Sequence, residues 1–233
     1  MRIVLPFLVA ASTCGCAKFP AAPVQTETRI TFKLKVDGKI RTGTGADENG
    51  LPYVYMIAIR PSQDDNPTEQ GPIPVIAPPW GNGFVAGTCT HFVWWSPQLF
   101  PNYTLYQFTD ATMNQYKQLG SPVTFVDLRP GGDTLEFSVD LNQIEPDADV
   151  RANLKSLQVN FLAMDRIPTG GLEKLWEALG DGRLPTQVNS PAIIPLRVSA
   201  TYDNKLFNSL EPIGDQPDPD LDIVDWSVEV RLP

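Results

Sequence analysis

An all-β fold, an antiparallel β-sandwich carrying one short helix, is the class that this sequence predicts. Three observations lead there. Apolar and polar residues alternate with period two in several segments of five to ten residues, the pattern of strands buried on one face. About nine such segments are separated by stretches rich in Gly, Pro, Asn and Asp, and no strand alternates with a long helical pattern, which argues against a doubly wound sheet. Proline accounts for 23 of 233 residues, about twice its usual ~5% share. It interrupts helices and central strands alike, so the chain needs short elements and stiffened loops. Hydrophobic residues make up 42% and charged residues 19%, enough apolar material for a core.

The elements follow in order. Residues 1–15 place Arg2 before an apolar run, Ile3 to Ala11, too short to span a bilayer, which needs roughly 20 apolar residues. This is the form of a signal peptide. Its end, Gly15 before Cys16, resembles the lipobox of bacterial lipoproteins, in which a small residue precedes the cysteine that is acylated. Thr13 and Cys14 stand where that family prefers Leu and then Ala or Ser. The resemblance implies an exported protein held to the membrane by a lipid on Cys16. Cys14 is the rival anchor, and ordinary cleavage after Ala17 is the alternative. Residues 16–28, with two prolines and small side chains, read as a tether, and residues 29–233 as one sandwich domain.

In Arg29–Asp37, Ile30, Phe32, Leu34 and Val36 alternate with polar residues. Tyr53–Arg60 is continuously apolar and belongs in the middle of a sheet. Thr88–Trp95 and Tyr103–Thr109 form one hairpin, Val123–Leu128 and Thr134–Leu141 a second. Leu157–Asp165 and Ala192–Ala200 are further strands. In Asp222–Leu232 the residues Val224, Trp226, Val228, Val230 and Leu232 share a face. The helix is expected where Leu172, Leu175, Trp176 and Leu179 fall at i, i+3, i+4 and i+7 before Gly180, plugging an end of the sandwich. A helical turn near Asp147–Leu154 is compatible with the pattern.

The formal charge of −9 becomes −10 once Arg2, the one charge in residues 1–15, is removed. Such a surface repels phosphate backbones, and there is no Lys/Arg run to override it, so nucleic acid is excluded as a partner. With Cys14 and Cys16 at the cleavage region, Cys89 has no partner for a disulfide within the domain. His91 is the one histidine, and Ser-His-Asp or Cys-His catalysis would have to use it. Two residues from Cys89 in a strand pattern, both read as packed side chains. No nucleophile elbow, zinc motif or phosphate loop occurs, and no catalytic residue is assigned.

No resident cofactor is expected. Two loops concentrate oxygen ligands that suit calcium: Asp64 and Asp65 in one, Asp218, Asp220 and Asp222 in the run from Asp215 to Asp222 in the other. Solvated surface charge is the competing reading. Trp80, Trp94 and Trp95 lie in an aromatic-rich stretch. Trp94 and Trp95 are adjacent, so in a strand they face opposite sides, and an exposed one would offer a flat face to a sugar or a protein.

The middle of the chain resembles extracytoplasmic β-sandwich modules of the DOMON and carbohydrate-binding type. Tyr53–Arg60 with the loop to Gly71-Pro72, Leu135–Leu141 and Leu157–Asp165 carry the likeness. In cytochrome-type DOMON domains haem is held by Met and His. His91 with Met56 or Met164 are the residues available for that role, and their spacing does not match it. The expectation is a cell-envelope lipoprotein, facing periplasm or exterior, that binds a glycan or a protein without catalysis. The alternatives are a structural or assembly lipoprotein with no small ligand, and a glycoside hydrolase working through a carboxylate pair.

Overall fold

The computed structural model describes residues 25–46, 48, 50–75, 82–167, 174–184 and 191–233. The signal segment, Cys14, Cys16, most of the tether, Trp80 and Leu172 lie outside these. The chain runs β1 (Arg29–Val36), β2 (Val54–Ser62), β3 (Pro72–Pro74), β4 (Val85–Gly87), β5 (His91–Trp95), β6 (Tyr103–Phe108), β7 (Tyr116–Gly120), β8 (Thr124–Phe125), β9 (Thr134–Asp140), α1 (Leu141–Ile144), α2 (Ala148–Ala152), β10 (Ser156–Met164), β11 (Trp176–Ala178), β12 (Ala192–Pro195), β13 (Ala200–Asp203) and β14 (Ile223–Arg231). A five-stranded sheet has the order β13-β14-β1-β9-β8. A seven-stranded sheet has the order β11-β10-β2-β5-β6-β7, with β12 also paired to β10. β3 and β4 form a separate ribbon. All pairings are antiparallel. The all-β, sandwich-like fold read from the sequence is what forms.

Alternation explains the small sheet. Ile30, Phe32 and Leu34 point inward from β1 and pair with Val230, Val228 and Trp226 on one side and Val139, Phe137 and Leu135 on the other. All nine are buried. The matching inner face of the large sheet supplies Tyr55, Ile57, Ile59, Val93, Trp95, Leu157, Val159, Phe161 and Ala163, closing one core between the layers.

β10 is buried at every position and β2 nearly so, because the large sheet is covered on both faces. On its outer face Met56, Ala58, Phe92, Leu162 and Met164 form a second apolar cluster with Phe84, Val85 and Cys89 from the β3–β4 region. Three polar side chains of β10 lie on this face: Ser156 donates to the Asp64 carbonyl, and two amides hold further covering segments in place. Asn160 donates to the Pro72 carbonyl and accepts from the Leu179 N–H. Gln158 donates to the Glu69 carbonyl and accepts from Arg60. Both are 2% exposed or less, and each hydrogen bond offsets the desolvation of a buried amide.

Four expectations are corrected. The helix through Leu175, Trp176 and Leu179 does not form: Trp176–Ala178 is an edge strand pairing Met164, Ala163 and Leu162. Leu175, meant for its apolar stripe, is 51% exposed. A segment this short gains little from helix formation alone, since nucleation is unfavourable, so an open sheet edge decides its conformation. The helices that do form are the short α1 and α2, the second within the span suspected for a helical turn. In β14, Ile223 rather than Val224 is core-facing, because a bulge sets Val36 opposite Ile223 and Lys35 opposite Asp225 and shifts the alternation by one residue. Ala192–Ala200 is not one strand. It breaks after Pro195, and the chain passes from β12 in the large sheet to β13 in the small one. Finally, the last residues of the expected tether are attached: Gln25 donates to the Arg231 carbonyl, and the Thr28 carbonyl accepts from Leu141.

Candidate functional sites: an aromatic face and an acidic corner

Two regions stand out, at opposite edges of the large sheet. The first is on its outer face over β5, β6 and β7. Period-two alternation places Phe92 and Trp94, then Thr104, Tyr106 and Phe108, then Tyr116 and Gln118 on this face. Phe92 stacks on Tyr106 with centroids 4.9 Å apart. Trp94 and Tyr106 are 6.5 Å apart and Tyr106 and Tyr116 5.5 Å. Phe84 braces the inner rings at 5.3 Å from Phe92 and 6.0 Å from Phe108. Trp94 and Tyr106 remain half-buried, and Tyr116 is 41% exposed. Phe108 continues this surface into a cavity of about 370 Å³ lined by Arg60, Thr88, Thr90, Thr109 and Asp110 among others. Rings with one open face, flanked by hydroxyls and an exposed Gln118, present an apolar surface with polar handles.

Trp94 is therefore half-exposed as its position in the strand allows, whereas Trp95 is 2% exposed and packs edge-on against Tyr55 inside the sandwich. Trp95 is a core side chain, which corrects its assignment to a ligand surface. Cys89 is buried and its thiol donates to the Ile59 and His91 carbonyls. Burial pushes the thiol up to about 12, so it is not a thiolate at neutral pH. Burial pushes His91 down to about 4, with Lys117 adding to the effect. His91 shares the inward rung of Ile59, across the sheet from Met56, so the pair that haem would need is not assembled.

The second region is at the β11 edge. The candidate calcium loops do not converge. Asp65 is exposed and faces Arg197 at 3.4 Å and Lys155 at 4.0 Å, and neither it nor Asp64 meets the other loop. Within the Asp215–Asp222 run the carboxylates part company. Asp218 accepts from the Tyr53 hydroxyl at 2.7 Å, and Asp220 from Arg41 at 3.0 Å and from the Lys39 N–H at 2.9 Å. Those oxygens are engaged by the protein itself. Asp222 turns the other way and meets Glu177 of β11 and Asp215, one oxygen from each of the three lying within 4.8 Å of the others.

The backbone fixes each member. Ile223 N–H donates to Glu177, Gly182 N–H to Asp215 at 2.6 Å, and the Gly214 and Gln216 N–H groups to Asp222 at 2.9 and 3.4 Å. Gly214 has φ of 80°, a conformation that favours glycine. Glu211 joins from behind: Gly180 N–H donates to its Oε2 at 3.0 Å, and its carboxyl faces Glu177 and Asp215. Glu177 is 4% exposed and Glu211 1%. Burial, then repulsion by the neighbouring carboxylates, holds both well above the usual carboxylate range. Burial also raises Asp222.

Sequence reasoning missed Glu177 and Glu211. Glu177 sat among the polar positions of the expected helix, and Glu211 in a stretch with no assigned element. Asp215 opens the acidic run that ends at Asp222. Only the pairing of β11 with β10 brings Glu177 to this corner, and no local pattern announces it.

Among the described residues no helix is long and apolar enough to cross a membrane. No protein-family model, no curated protein and no solved structure matches this chain.

Proposed function

We propose that the chain is an exported, lipid-anchored envelope protein whose sandwich is a non-enzymatic binding module for a neutral glycan. The observation that carries this reading is the aromatic face: Trp94, Tyr106 and Tyr116 lie side by side, half-open, beside Gln118 and continuous through Phe108 with a hydroxyl-lined cavity. Sugar rings stack their C–H faces on such rings while their hydroxyls take the polar rim. The net charge of −9 disfavours an anionic polysaccharide. A non-enzymatic role is supported by the state of the reactive groups: a protonated Cys89, a buried His91, and two perturbed glutamates, Glu177 and Glu211, too enclosed to flank a glycosidic bond. The signal-like residues 1–15 and Gly15-Cys16 support the anchor.

The test is binding of the full chain to an array of neutral oligosaccharides, followed by titration calorimetry with the best of them. Trp94→Ala is expected to weaken binding at least about tenfold, the level of an interface anchor, with little change in melting temperature. An array with no binder, or a binder indifferent to Trp94→Ala, would overturn the glycan reading in favour of a structural role. For the anchor, Cys16→Ser should move the protein from the membrane fraction to the soluble exported fraction. An unmodified amino terminus at Lys18, read by mass spectrometry, would sink it.

A further inference from the structure

The acidic corner poses a physical problem that the aromatic face does not. Four carboxyl groups, Glu177, Glu211, Asp215 and Asp222, meet where a hydrophobic core closes. None of them forms an ion pair with a described residue. Arg183, the cation whose field reaches Asp215 and Asp222, is itself held by Asp181 at 2.8 Å. Asp37 adds further negative charge near Asp222. Backbone N–H groups satisfy one oxygen of each of Glu177, Glu211 and Asp215. The other oxygen of each, Glu177 Oε1, Glu211 Oε1 and Asp215 Oδ1, is buried and receives no N–H or hydroxyl donor; across Glu177–Asp215 and Glu177–Glu211 a carboxyl faces only another carboxyl. Unpartnered buried carboxylate oxygens are rare in folded proteins and call for a compensating group.

We propose that Glu177, Asp215 and Asp222, with Glu211 behind them, form a buried site for one hard divalent cation of the calcium class. The ligand set is all oxygen, with no imidazole or thiolate, which selects hard cations over zinc or copper. Two of the three converging oxygens come from the loop before β14 and one from an edge strand, a flexible arrangement that suits calcium better than the strict octahedron of magnesium. Beside them lies a cavity of about 170 Å³ lined by Trp176, Glu177, Ala178, Gly182, Asp215 and Gln216. It has room for the waters that would complete a coordination shell, each occupying about 30 Å³. The ion would join β11 of the large sheet to the loop that enters β14 of the small sheet, clamping the layers at one corner. This site lies apart from the aromatic face, and either proposal can fail alone.

Terbium is the probe, because Trp176 lines the cavity and its indole transfers excitation to a lanthanide bound there. The full chain, stripped with EDTA, should bind one Tb3+ with sensitised emission that Ca2+ displaces at lower concentration than Mg2+. Ca2+ should raise the melting temperature of the stripped protein. Asp215→Asn and Glu177→Gln should each weaken Tb3+ at least about tenfold, since even groups behind the ligands change metal affinity ten- to a hundredfold. Trp176→Phe should abolish emission yet keep the Ca2+-induced rise in melting temperature. Asp64→Asn with Asp65→Asn should change neither. The proposal is overturned if millimolar Ca2+ leaves the melting temperature of the wild-type chain unmoved. It is equally overturned if Tb3+ emission survives Asp215→Asn and Glu177→Gln unchanged in folded protein. In either case the four carboxyls hold one another by shared protons alone.

Discussion

The β7 edge of the large sheet turns rings outward, and the β11 edge turns carboxyls inward. Each inverts a familiar preference, but the two inversions differ in energy. Half-exposed rings are a mild matter, because much of any protein surface is apolar and neighbouring rings already shield each other. Buried carboxyls are severe, because a charge removed from water must be paired, coordinated or neutralised by a proton. Changes at the aromatic face should therefore alter binding and leave the fold alone. Changes at the acidic corner should alter stability, and even raise it.

The largest expected effect removes what both regions lean on. Deleting residues 222–233 takes away β14, with Trp226, Val228 and Val230 from the core and Asp222 from the corner. Burial of each large apolar side chain is worth roughly 1.5–3 kcal/mol, against a total stability of typically 5–15 kcal/mol. Insoluble or protease-sensitive protein is expected. Trp226→Ala alone, which empties the space between Phe161 at 5.6 Å and Phe207 at 5.3 Å, should cost about 3–5 kcal/mol by denaturant unfolding. A cooperative transition near the parental midpoint in either variant would mean that the sandwich closes without this strand.

Next comes the pH dependence of the corner. A carboxyl whose folded-state pKa is raised stabilises below its unfolded pKa and loses that contribution as pH climbs toward the folded value. For Glu177 and Glu211 the window opens at the ordinary carboxylate range and extends beyond neutrality. His91 acts oppositely: depressed to about 4, it favours the fold progressively as pH rises from about 4 to its unfolded value near 6.5. Between pH 6.5 and 8 the glutamates set the downward slope, opposed near its upper end by Lys174, which burial pushes down to about 8 and which favours the fold progressively as pH rises past that value. In EDTA, stability should fall by about 1.4 kcal/mol per pH unit for each carboxyl that stays protonated in the fold. Glu211→Gln should flatten this slope and raise stability at pH 8 by about 1–3 kcal/mol. A flat wild-type profile would place the corner in contact with water. Saturating Ca2+ should flatten the slope, since a cation replaces the protons and the folded corner then holds no more of them than the unfolded chain.

The smallest effects belong to the other edge. Trp94→Ala and Tyr106→Ala should each change stability by no more than about 1–2 kcal/mol, because only part of each ring is buried. Phe100, fully exposed, should tolerate Ser within about 0.5 kcal/mol. A loss comparable to Trp226→Ala at Trp94 would make the aromatic face a core extension rather than a surface.

The contrast also separates what the residue pattern reveals from what it hides. β1, β9, β10 and most of β14 are legible because their partners share one period and one core. Trp94 and Trp95 are legible as a pair on opposite faces for the same reason, though which one is open depends on Phe84 and the β3–β4 ribbon covering part of one side. The β11 segment is illegible, because Leu175, Trp176 and Leu179 fit a helical stripe and only the free edge of β10 decides otherwise. The corner inherits that difficulty. Glu177 arrives through β11, Glu211 through a loop tied by Asn204, and Asp222 is distinguished from Asp218 and Asp220 only by which backbone groups the loop turns toward it.

The pairing of β1 has a kinetic consequence. β1 lies between β9 and β14, so Arg29 meets Asp140 on one side and Arg231 on the other. The centre of the small sheet joins segments made at nearly opposite times during synthesis. Loops that long are slow to close, and folding rates fall as native contacts become less local. At roughly 5–20 residues added per second, β1 waits on the order of ten seconds or more for its second neighbour. Until then one edge of β1, with its alternating Ile30, Phe32 and Leu34, remains available to a chaperone. The centre of the small sheet therefore cannot set before β14 has been made, however early β1 leaves the ribosome.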